Sequence, residues 1–558
     1  MRPWLATIWV CFLARAVFYC GAIPLWEGYD EWSHFAVVQR MAFRGELLVS
    51  RDAPVARDVA ASLELAPVPW ECRTLPEPSI TRDGFWRLPA SERAQRESRF
   101  REIPADAAVQ DAPGGLKAYE GLQGPLYGWL MAPLLLAAKG AHLSTQVLLL
   151  RWFGVMLVSL VIPLAFAIAR AIFESDAIAL GCAAVVAVMP EFLIDTARVG
   201  NDGVAVVLFT LLIWMALGTL REGLPRRRAI ALGVVLGLGL LAKAYFLAAV
   251  PGVAVLLAWK CRRARALIVP AVAFAIAGWW YVRNFISTGS PTGMWESVLL
   301  QPGGAGSQIA AIGRIPWFTA IDSIMLSHLY LGGWSSLTVR SWMYHLLYLV
   351  IAVAAVGLVR RAAEPAIRMA VLFFLSFWLG QLYHVIPMFL VWHIPTSLGC
   401  YLYAVVAAEV ALCVAGLHSL APRALRHFAA PAGVVLFALL DLYTIHMVAI
   451  PYYTGMIAHR PGGALEAFYP ARAPLGEILP RLSMFQSPLI SPPLLGALWI
   501  AYVAATIALV AISVAAARRK IATPQTRPLP PSHTVGAGPE TAASCPTGLP
   551  PPPPTMER

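Results

Sequence analysis

Two adjacent carboxylates and a histidine follow the first apolar run of the sequence within a few residues. Asp30 and Glu31 stand side by side, and His34 follows at the start of an amphipathic stretch. A carboxylate or an imidazole placed there can act as a general base, and the carboxylate pair can bind a cation. Helix capping is the alternative, since Asp at an N-cap and Glu in a first turn are ordinary at a helix start. We expect catalysis at Asp30, Glu31 and His34.

Two short segments further along combine glycine with hydrogen-bonding side chains. The segment 119–127 contains a Gly-Pro step that breaks a helix, and the segment 195–202 places two carboxylates, an Arg and an Asn in a tight connection. Each segment is also compatible with a plain turn or helix cap. We expect substrate contacts at four of their side chains: Gln123, Tyr127, Asn201 and Asp202.

Charged residues occur inside and beside the apolar runs. Arg15, Glu409 and Asp441 lie within runs, where an unpaired charge costs about 2.5–3.5 kcal/mol, so they should face a polar interior or one another. Three cations lie at the ends of runs, on the side where the carboxylate pair is expected, and would suit an anionic group such as phosphate. Snorkelling is the alternative for two of them. The three cations are Arg198, Lys243 and Arg283.

The composition excludes an ordinary soluble globular protein. The chain has 558 residues, of which 59% are apolar and 13% charged, and its mean hydropathy is +0.66. A soluble domain carries roughly 25% charged residues, so this chain has too little charge to cover a globule of its size. The formal charge of +12 comes from basic residues in small groups between apolar runs, a pattern that does not favour nucleic acid. Cys72 stands alone in the large polar loop, so no exterior disulfide framework is predicted.

Twelve apolar runs are long enough, or nearly long enough, to cross a hydrocarbon core of roughly 30 Å. With both termini inside, four cytoplasmic loops hold 13 Lys and Arg residues, whereas exterior loops 195–202 and 389–397 hold one. We therefore predict an all-α polytopic protein of the cytoplasmic membrane with about twelve transmembrane helices. The runs are 5–23, 147–169, 177–194, 203–220, 229–246, 247–259, 266–282, 343–359, 369–388, 398–416, 430–449 and 493–516, and the four loops are 221–228, 260–265, 360–368 and 417–429.

The polar residues suggest how the chain is organised. Residues 24–146 form one large exterior segment with 16 of the 31 acidic residues, and its apolar run 122–138 is predicted to lie in the membrane interface. We expect a catalytic module over 1–300, further transmembrane helices over 301–520, and a disordered cytoplasmic tail over 521–558, where 11 residues are proline.

A series of short motifs then follows in a fixed order along residues 5–300. No single motif is specific, but the order resembles that of the GT-C class of membrane glycosyltransferases, which includes the protein O-mannosyltransferases and the aminoarabinose transferase of lipid A. The motifs are Arg15, Asp30-Glu31 with His34, Gln123-Gly124-Pro125-Leu126-Tyr127, Arg151, Pro190 with Ala197-Arg198 and Asn201-Asp202, Gly237-Leu238-Gly239 with Lys243, and Trp279-Trp280-Tyr281-Val282-Arg283-Asn284.

The resemblance implies an inverting glycosyltransferase. Its donor would be a polyprenyl-phosphate sugar, its acceptor a hydroxyl of a glycan, lipid or protein, and its site would lie on the exterior membrane face, with juxtamembrane helices in the first exterior loop. Asp30 would be the base with Glu31 and His34 beside it, while Lys243 and Arg283 would contact the donor phosphate. A divalent metal is compatible with the acidic pairs, although no ligand spacing requires one.

Two departures from the class leave other functions open. Gln123-Gly124 stands where His-Pro is usual, and Gly399-Cys400-Tyr401 stands where related sequences often have Gly-Arg-Tyr. A transferase-like protein that has lost activity is therefore one alternative. A lipid or glycan transporter or flippase is the other, and it predicts polar residues at mid-membrane on broken helices together with two matching halves.

Overall fold

The structure, a computed structural model, describes residues 2–260, 263–300 and 304–522 and is helical throughout, with isolated bridges in place of β-strands in these ranges. The predicted tail from 521 lies outside the described residues, except for the two that end the last helix. The helices are α1 Arg2–Ala22, α2 Glu31–Arg44, α3 Arg57–Leu65, α4 Arg82–Arg87, α5 Ala90–Arg101, α6 Leu126–Ala137, α7 Leu143–Val158, α8 Val161–Phe173, α9 Asp176–Val188, α10 Pro190–Thr196, α11 Asp202–Glu222, α12 Arg226–Ala242, α13 Ala249–Lys260, α14 Arg263–Ala266, α15 Ile268–Thr288, α16 Trp295–Leu299, α17 Gly304–Ile312, α18 Trp317–Leu329, α19 Ser341–Val359, α20 Pro365–Trp392, α21 Val406–Leu420, α22 Ala429–Thr444, α23 Ile450–Tyr453, α24 Leu475–Leu482 and α25 Pro492–Ala522.

Eight helical segments of the described chain are long and apolar enough to cross a membrane, or ten if each of two bent helix pairs is one span. The all-α polytopic architecture is therefore confirmed, but the count of about twelve is not. The eight segments are Arg2–Ala22, Leu143–Phe173, Asp202–Glu222, Ser341–Val359, Pro365–Trp392, Gly399–Leu420, Arg426–Tyr453 and Pro492–Arg519, and the bent pairs are Asp176–Val188 with Pro190–Thr196 and Gly306–Ile312 with Trp317–Leu329.

Helix length accounts for part of the difference. α12 has 17 residues and α13 has 12, which at about 1.5 Å per residue gives lengths of about 26 and 18 Å. A 3-10 segment, Ala244–Ala248, separates them, so the two predicted runs 229–246 and 247–259 are a short broken pair. α6 lies in the run predicted to be interfacial and packs against α2. Like α13 it has 12 residues, so it is too short to cross a membrane.

Two of the Arg-rich loops predicted to be cytoplasmic, 221–228 and 360–368, lie together at one end of the bundle. Arg221 donates a hydrogen bond to the carbonyl of Ala171, and Arg361 donates to the carbonyl of Ile172 at 3.2 Å. These bonds join two of the basic loops to the connection between α8 and α9. Residues 24–146, predicted to be exterior, lie at the other end, where Asp83 accepts hydrogen bonds from the backbone and ring of His459 at 2.8 and 2.9 Å.

The three intramembrane charges predicted to need partners have them. Arg15 of α1 donates to a carboxylate oxygen of Asp441 in α22 at 2.6 Å, and Tyr502 of α25 donates to the same carboxylate at 2.6 Å. Glu409 of α21 contacts the ring of His328 at 3.0 Å. Because α1 also packs along α25, the first and last helices share one core. The division at residue 300 stays a prediction.

Cysteine labelling tests which end of the bundle faces the cytoplasm. We expect Gln95→Cys, on exposed α5, to react with a membrane-impermeant maleimide in intact cells, and Ala363→Cys, in an Arg-rich loop, to react only after permeabilisation. Cys72 is a poor native reporter because burial raises the pKa of its thiol to about 12, and Cys261 lies outside the described residues, so native cysteines are replaced first. The reverse labelling pattern would contradict the orientation.

Candidate active site

Asp30 does not cap the helix that it precedes. Its backbone is left-handed, with φ 55° and ψ 18°, and its side chain makes no capping hydrogen bond to α2. The hydroxyl of Tyr119 instead donates to Oδ1 of Asp30 at 2.6 Å. Asp is one of the few residues that adopt this backbone conformation readily. The capping interpretation of this residue is therefore wrong, and its carboxylate is directed to a neighbouring segment and lines a cavity.

Glu31 points away from Asp30 into the protein. Its two carboxylate oxygens accept hydrogen bonds from Arg151 at 2.7 and 2.6 Å, and one of them also accepts from the backbone N–H of Val199 at 2.9 Å. Arg151 donates further to the carbonyls of Ile23 and Pro24 at the end of α1. Glu31 is fully buried and does not line the cavity, so the structure places this predicted catalytic neighbour in a structural ion pair.

A second carboxyl, Glu120, lies beside Asp30. The backbone N–H of Glu120 donates to Ser33 Oγ at 3.0 Å, and His34 Nε2 lies 3.5 Å from Glu120 Oε2. Burial, reinforced by the negative charge of Asp30, raises the pKa of Glu120 to about 8. Burial also raises the pKa of Asp30, which the hydrogen bond from Tyr119 opposes. With a pKa of about 8, Glu120 is mostly neutral at neutral pH.

His34 is held as a neutral imidazole. Burial lowers its pKa well below the usual value, and the nearby positive charges of Arg198 and Lys243 act in the same direction. His34 lies with Gln123, Tyr127 and Asn201 around a small pocket of about 20 Å³, large enough for one water. Three of the four predicted substrate contacts, Gln123, Tyr127 and Asn201, therefore lie around one pocket. The fourth, Asp202, does not line it.

Asp202 forms ion pairs with two of the predicted cations, Lys243 and Arg198. It accepts from Lys243 Nζ at 2.5 Å and from Arg198 at 2.5 Å. Arg198 also binds Asp195 at 2.8 Å and the carbonyl of Tyr29 at 2.7 Å, so it lies buried behind the cavity wall. Lys243 Nζ lies 4.7 Å from the ring centre of Tyr401, which lines the cavity. Lys243 is therefore the better placed of these two phosphate candidates.

Arg283, the third cation, lies elsewhere. Its side chain is exposed on α15 and stacks over the ring of Trp280 at 5.2 Å, and it does not line the cavity. Trp280 itself lines the small pocket that contains His34. The structure therefore does not bring Arg283 into one group with Lys243.

Gly124 explains one departure from the GT-C motif. A Cβ atom built at Gly124 would lie 2.0 Å from the carbonyl oxygen of Leu241 in α12. A proline or any other side chain cannot be accommodated at that distance, so only glycine allows this approach. The close contact brings the end of α12, and Lys243 just after it, next to the Glu120 turn.

The cavity itself has a volume of about 850 Å³ and combines segments that are far apart in the sequence. Asp30, Tyr119 and Glu120 come from the first exterior segment, while His384 of α20 and Tyr401 come from the C-terminal half. Three tryptophans add flat apolar surface to the lining. They are Trp295, Trp334 and Trp392.

His384 is a cavity residue that sequence reasoning missed. Its Nδ1 lies 2.8 Å from Ser397 Oγ, and Gln381 Nε2 donates to the same oxygen at 3.0 Å. Because Ser397 Oγ already accepts from Gln381, it can give its own proton to Nδ1, which leaves the ring proton on Nε2. Nε2 has no partner in the described part of the chain, so it is free to donate to a ligand. The lone His in the apolar run 369–388 was the available signal.

A loop of the C-terminal half closes one wall of the cavity. The backbone N–H groups of Leu331 and Gly332 donate to Glu191 Oε2 at 2.9 and 2.8 Å, and that of Ser335 donates to Glu27 Oε1 at 2.9 Å. Trp334, in the same loop, donates its backbone N–H to the carbonyl of Glu27 at 3.0 Å. Two buried carboxylates thus hold this wall by its backbone.

In the described ranges, no group of three or more His, Cys, Asp or Glu side chains could hold a metal ion. A metal requirement stays open, because a substrate phosphate can supply further ligands.

Two solved structures are similar to parts of the chain. One is ArnT from Cupriavidus metallidurans bound to undecaprenyl phosphate, with 11% identity over 91% of this chain and 77% of that chain and a TM-score of 0.44. The other is the oligosaccharyltransferase of Archaeoglobus fulgidus in complex with zinc and sulfate, with 15% identity over 66% of this chain and 49% of that chain and a TM-score of 0.34. Neither a family model nor a curated protein matches. At these identities neither structure assigns a substrate to this chain.

Asp30 and Glu31 should differ sharply in their effect on stability. Glu31→Gln leaves the buried Arg151 without a counter-charge, and we expect the free energy of unfolding to fall by about 3–5 kcal/mol. Asp30→Asn keeps an acceptor for Tyr119 and a residue that tolerates the left-handed backbone, so its loss should stay below about 1 kcal/mol. Unfolding of the detergent-purified protein measures both. Glu46→Gln, which removes the surface partner of Arg40, is the matched control with a small expected loss. Equal losses in Asp30→Asn and Glu31→Gln would contradict this assignment.

Proposed function

We propose that the protein is a membrane glycosyltransferase that moves a sugar from a polyprenyl-phosphate donor to an acceptor hydroxyl. The observation that carries this proposal is the composition of one cavity. It combines the carboxyl groups of Asp30 and Glu120 with the Nε2 donor of His384, and Lys243 lies directly behind Tyr401 in its lining. A base and groups that bind an anion are thus available at one site.

The chemistry follows from these roles. Asp30 accepts the proton of the acceptor hydroxyl, whose oxygen forms a bond to the anomeric carbon of the donor. The bond between that carbon and the phosphate oxygen breaks, and the phosphate leaves with the electron pair. Lys243 and His384 stabilise the departing charge, and Tyr119 holds the Asp30 carboxylate in place. A single displacement inverts the anomeric configuration.

The prenyl chain of the donor requires an apolar surface at the level of the membrane. α12, α13 and α15 line a groove of about 440 Å³ whose walls include Leu240, Phe274 and Phe285. Lys243 directly follows α12, so a phosphate beside Lys243 would place its chain near this groove. Arg283 lies on α15 between two groove residues and would contact the lipid at the membrane surface rather than the reacting phosphate.

The site would face the exterior of the cytoplasmic membrane, because the basic loops lie at the opposite end of the bundle. The acceptor is a hydroxyl of a glycan, lipid or protein, and the three cavity tryptophans suit either a sugar ring or a lipid chain. A transporter or flippase would move the donor without breaking the sugar–phosphate bond, so product formation separates the two functions.

Asp30→Asn tests the proposed base. We expect turnover of a radiolabelled polyprenyl-phosphate sugar, in the presence of membrane-derived acceptors, to fall by about 10²–10⁴-fold because the proton acceptor is lost. Asp106→Asn removes an exposed carboxylate of the same exterior segment and should leave turnover within a few-fold of the parent. Asp30→Asn turnover equal to that of Asp106→Asn, at equal expression, would exclude Asp30 as the base. Absence of sugar transfer in the parent would favour the transporter or inactive alternatives.

Glu120 should control the pH dependence of donor binding. With a pKa of about 8, Glu120 is neutral below that pH and becomes a carboxylate above it, which repels the donor phosphate. We therefore expect the KM for the donor to rise as pH increases from 7 to 9 in the parent and to stay nearly constant in Glu120→Gln. Initial rates over this pH range measure both. The same rise in both proteins would show that another group is responsible.

A further inference from the structure

A separate groove lies at the opposite end of the bundle from the cavity. It has a volume of about 660 Å³ and is lined by α8, α11 and α12. Its lining changes character along the helices. Arginines occupy the end next to the basic loops, at the last turns of α8 and α11 and the first turn of α12, while apolar side chains follow towards the middle of the helices.

The arginines retain unused hydrogen-bond donors. Arg170 binds Asp176 through Nε at 2.6 Å, and Arg221 donates to the carbonyl of Ala171 through one terminal nitrogen. Arg227 makes no hydrogen bond or ion pair with the described part of the chain. Each guanidinium has five N–H donors, so all three have donors left for an anion. Glu222 also lines the groove, but it is bound by Arg228.

The apolar part of the groove is open. The side chain of Trp214 is 43% exposed, and Leu211 and Val235 lie nearby in the same lining. A Cβ atom built at Gly218 would meet no heavy atom within 4 Å, so α11 leaves free space at this position. The groove therefore offers room for a chain beside the helices rather than a filled contact between them.

We propose that this groove binds an anionic phospholipid. Arg170, Arg221 and Arg227 contact the headgroup phosphate, and an acyl chain lies along α11 past Gly218 and Trp214. A soluble anion would use the arginines and leave the apolar walls exposed, whereas a lipid matches both. Basic pockets between transmembrane helices on the cytoplasmic side favour anionic headgroups for the same reason. This site is independent of the proposed glycosyl transfer.

Native mass spectrometry of the detergent-purified full chain tests the proposal with two probes, dioleoyl-phosphatidylglycerol and dioleoyl-phosphatidylcholine. We expect the parent to retain the anionic lipid about tenfold better than the zwitterionic one. R170Q/R221Q/R227Q should reduce retention of the anionic lipid about tenfold, to the level of the zwitterionic one, because the charges that distinguish the two headgroups are removed. Equal retention of the two lipids by the parent would overturn the proposal.

Two further variants separate a groove from a generally basic surface. R360Q/R368Q/R423Q removes three exposed arginines of the predicted cytoplasmic loops outside the groove, and it should retain the anionic lipid as the parent does. Gly218→Leu fills the groove without changing charge and should reduce retention about as much as the groove arginine triple variant. A loss in the control triple variant equal to that in the groove triple variant, or full retention in Gly218→Leu, would overturn the site. Unfolding temperatures close to that of the parent confirm that each variant is folded.

Discussion

The buried ion pair between Glu31 and Arg151 holds the candidate active site in its place. Arg151 uses all its nitrogens: Nε and Nη2 donate to Glu31, and Nη1 and Nη2 donate to the carbonyls at the end of α1. Three elements therefore meet at one side chain: the exit of α1, the start of α2, and α7. Because burying charges is costly, the pair specifies one arrangement of these elements more than it adds net stability. Asp30, one residue earlier, takes its position from that arrangement.

Neighbouring carboxylates in the sequence thus have opposite surroundings. The left-handed backbone at Asp30 turns its side chain out of the path of α2 and towards Tyr119, while Glu31 begins the helix and faces inward. Asp30 shares the cavity with Glu120, and burial together with the charge of Asp30 raises the pKa of Glu120 to about 8. Two neighbouring carboxyls with different hydrogen-bond partners are an arrangement that suits proton transfer.

The sequence predicted what depends on local composition and on charge segregation. The all-α membrane architecture and the grouping of two basic loops at one end follow from apolar run length and Arg placement, whereas the interfacial position of 122–138 stays a prediction. The count of about twelve spans is not confirmed where helices are short or bent, as in α12, α13 and the pair α9 with α10, because hydropathy does not report a break in a helix.

The site was predictable only in part for a related reason. Asp30 follows the first membrane segment closely, and the 119–127 turn leads into the apolar run 122–138, so their placement could be inferred. The different roles of Asp30 and Glu31 depend on one backbone angle, which no residue pattern reveals. His384 and Tyr401 join the cavity through packing between the two halves of the chain, more than 250 residues from Asp30. The ion pairs of Asp202 with Arg198 and Lys243 likewise could not be read from the sequence and are visible only in the structure.

The loop that carries Trp334 has a consequence for how this protein can diversify. It is attached to Glu27 and Glu191 almost entirely through backbone N–H groups, which every residue except proline possesses. Gly332 and Gly333 have φ values of 72° and 83°, so these two positions are constrained, and the hydroxyls of Ser335 and Ser336 contact Trp70 and Glu71. Leu331 and Trp334, which line the cavity, could therefore be exchanged without loss of the backbone attachment. Under the proposed function, such exchanges would alter acceptor recognition at this wall and leave Asp30 and Glu120 unchanged.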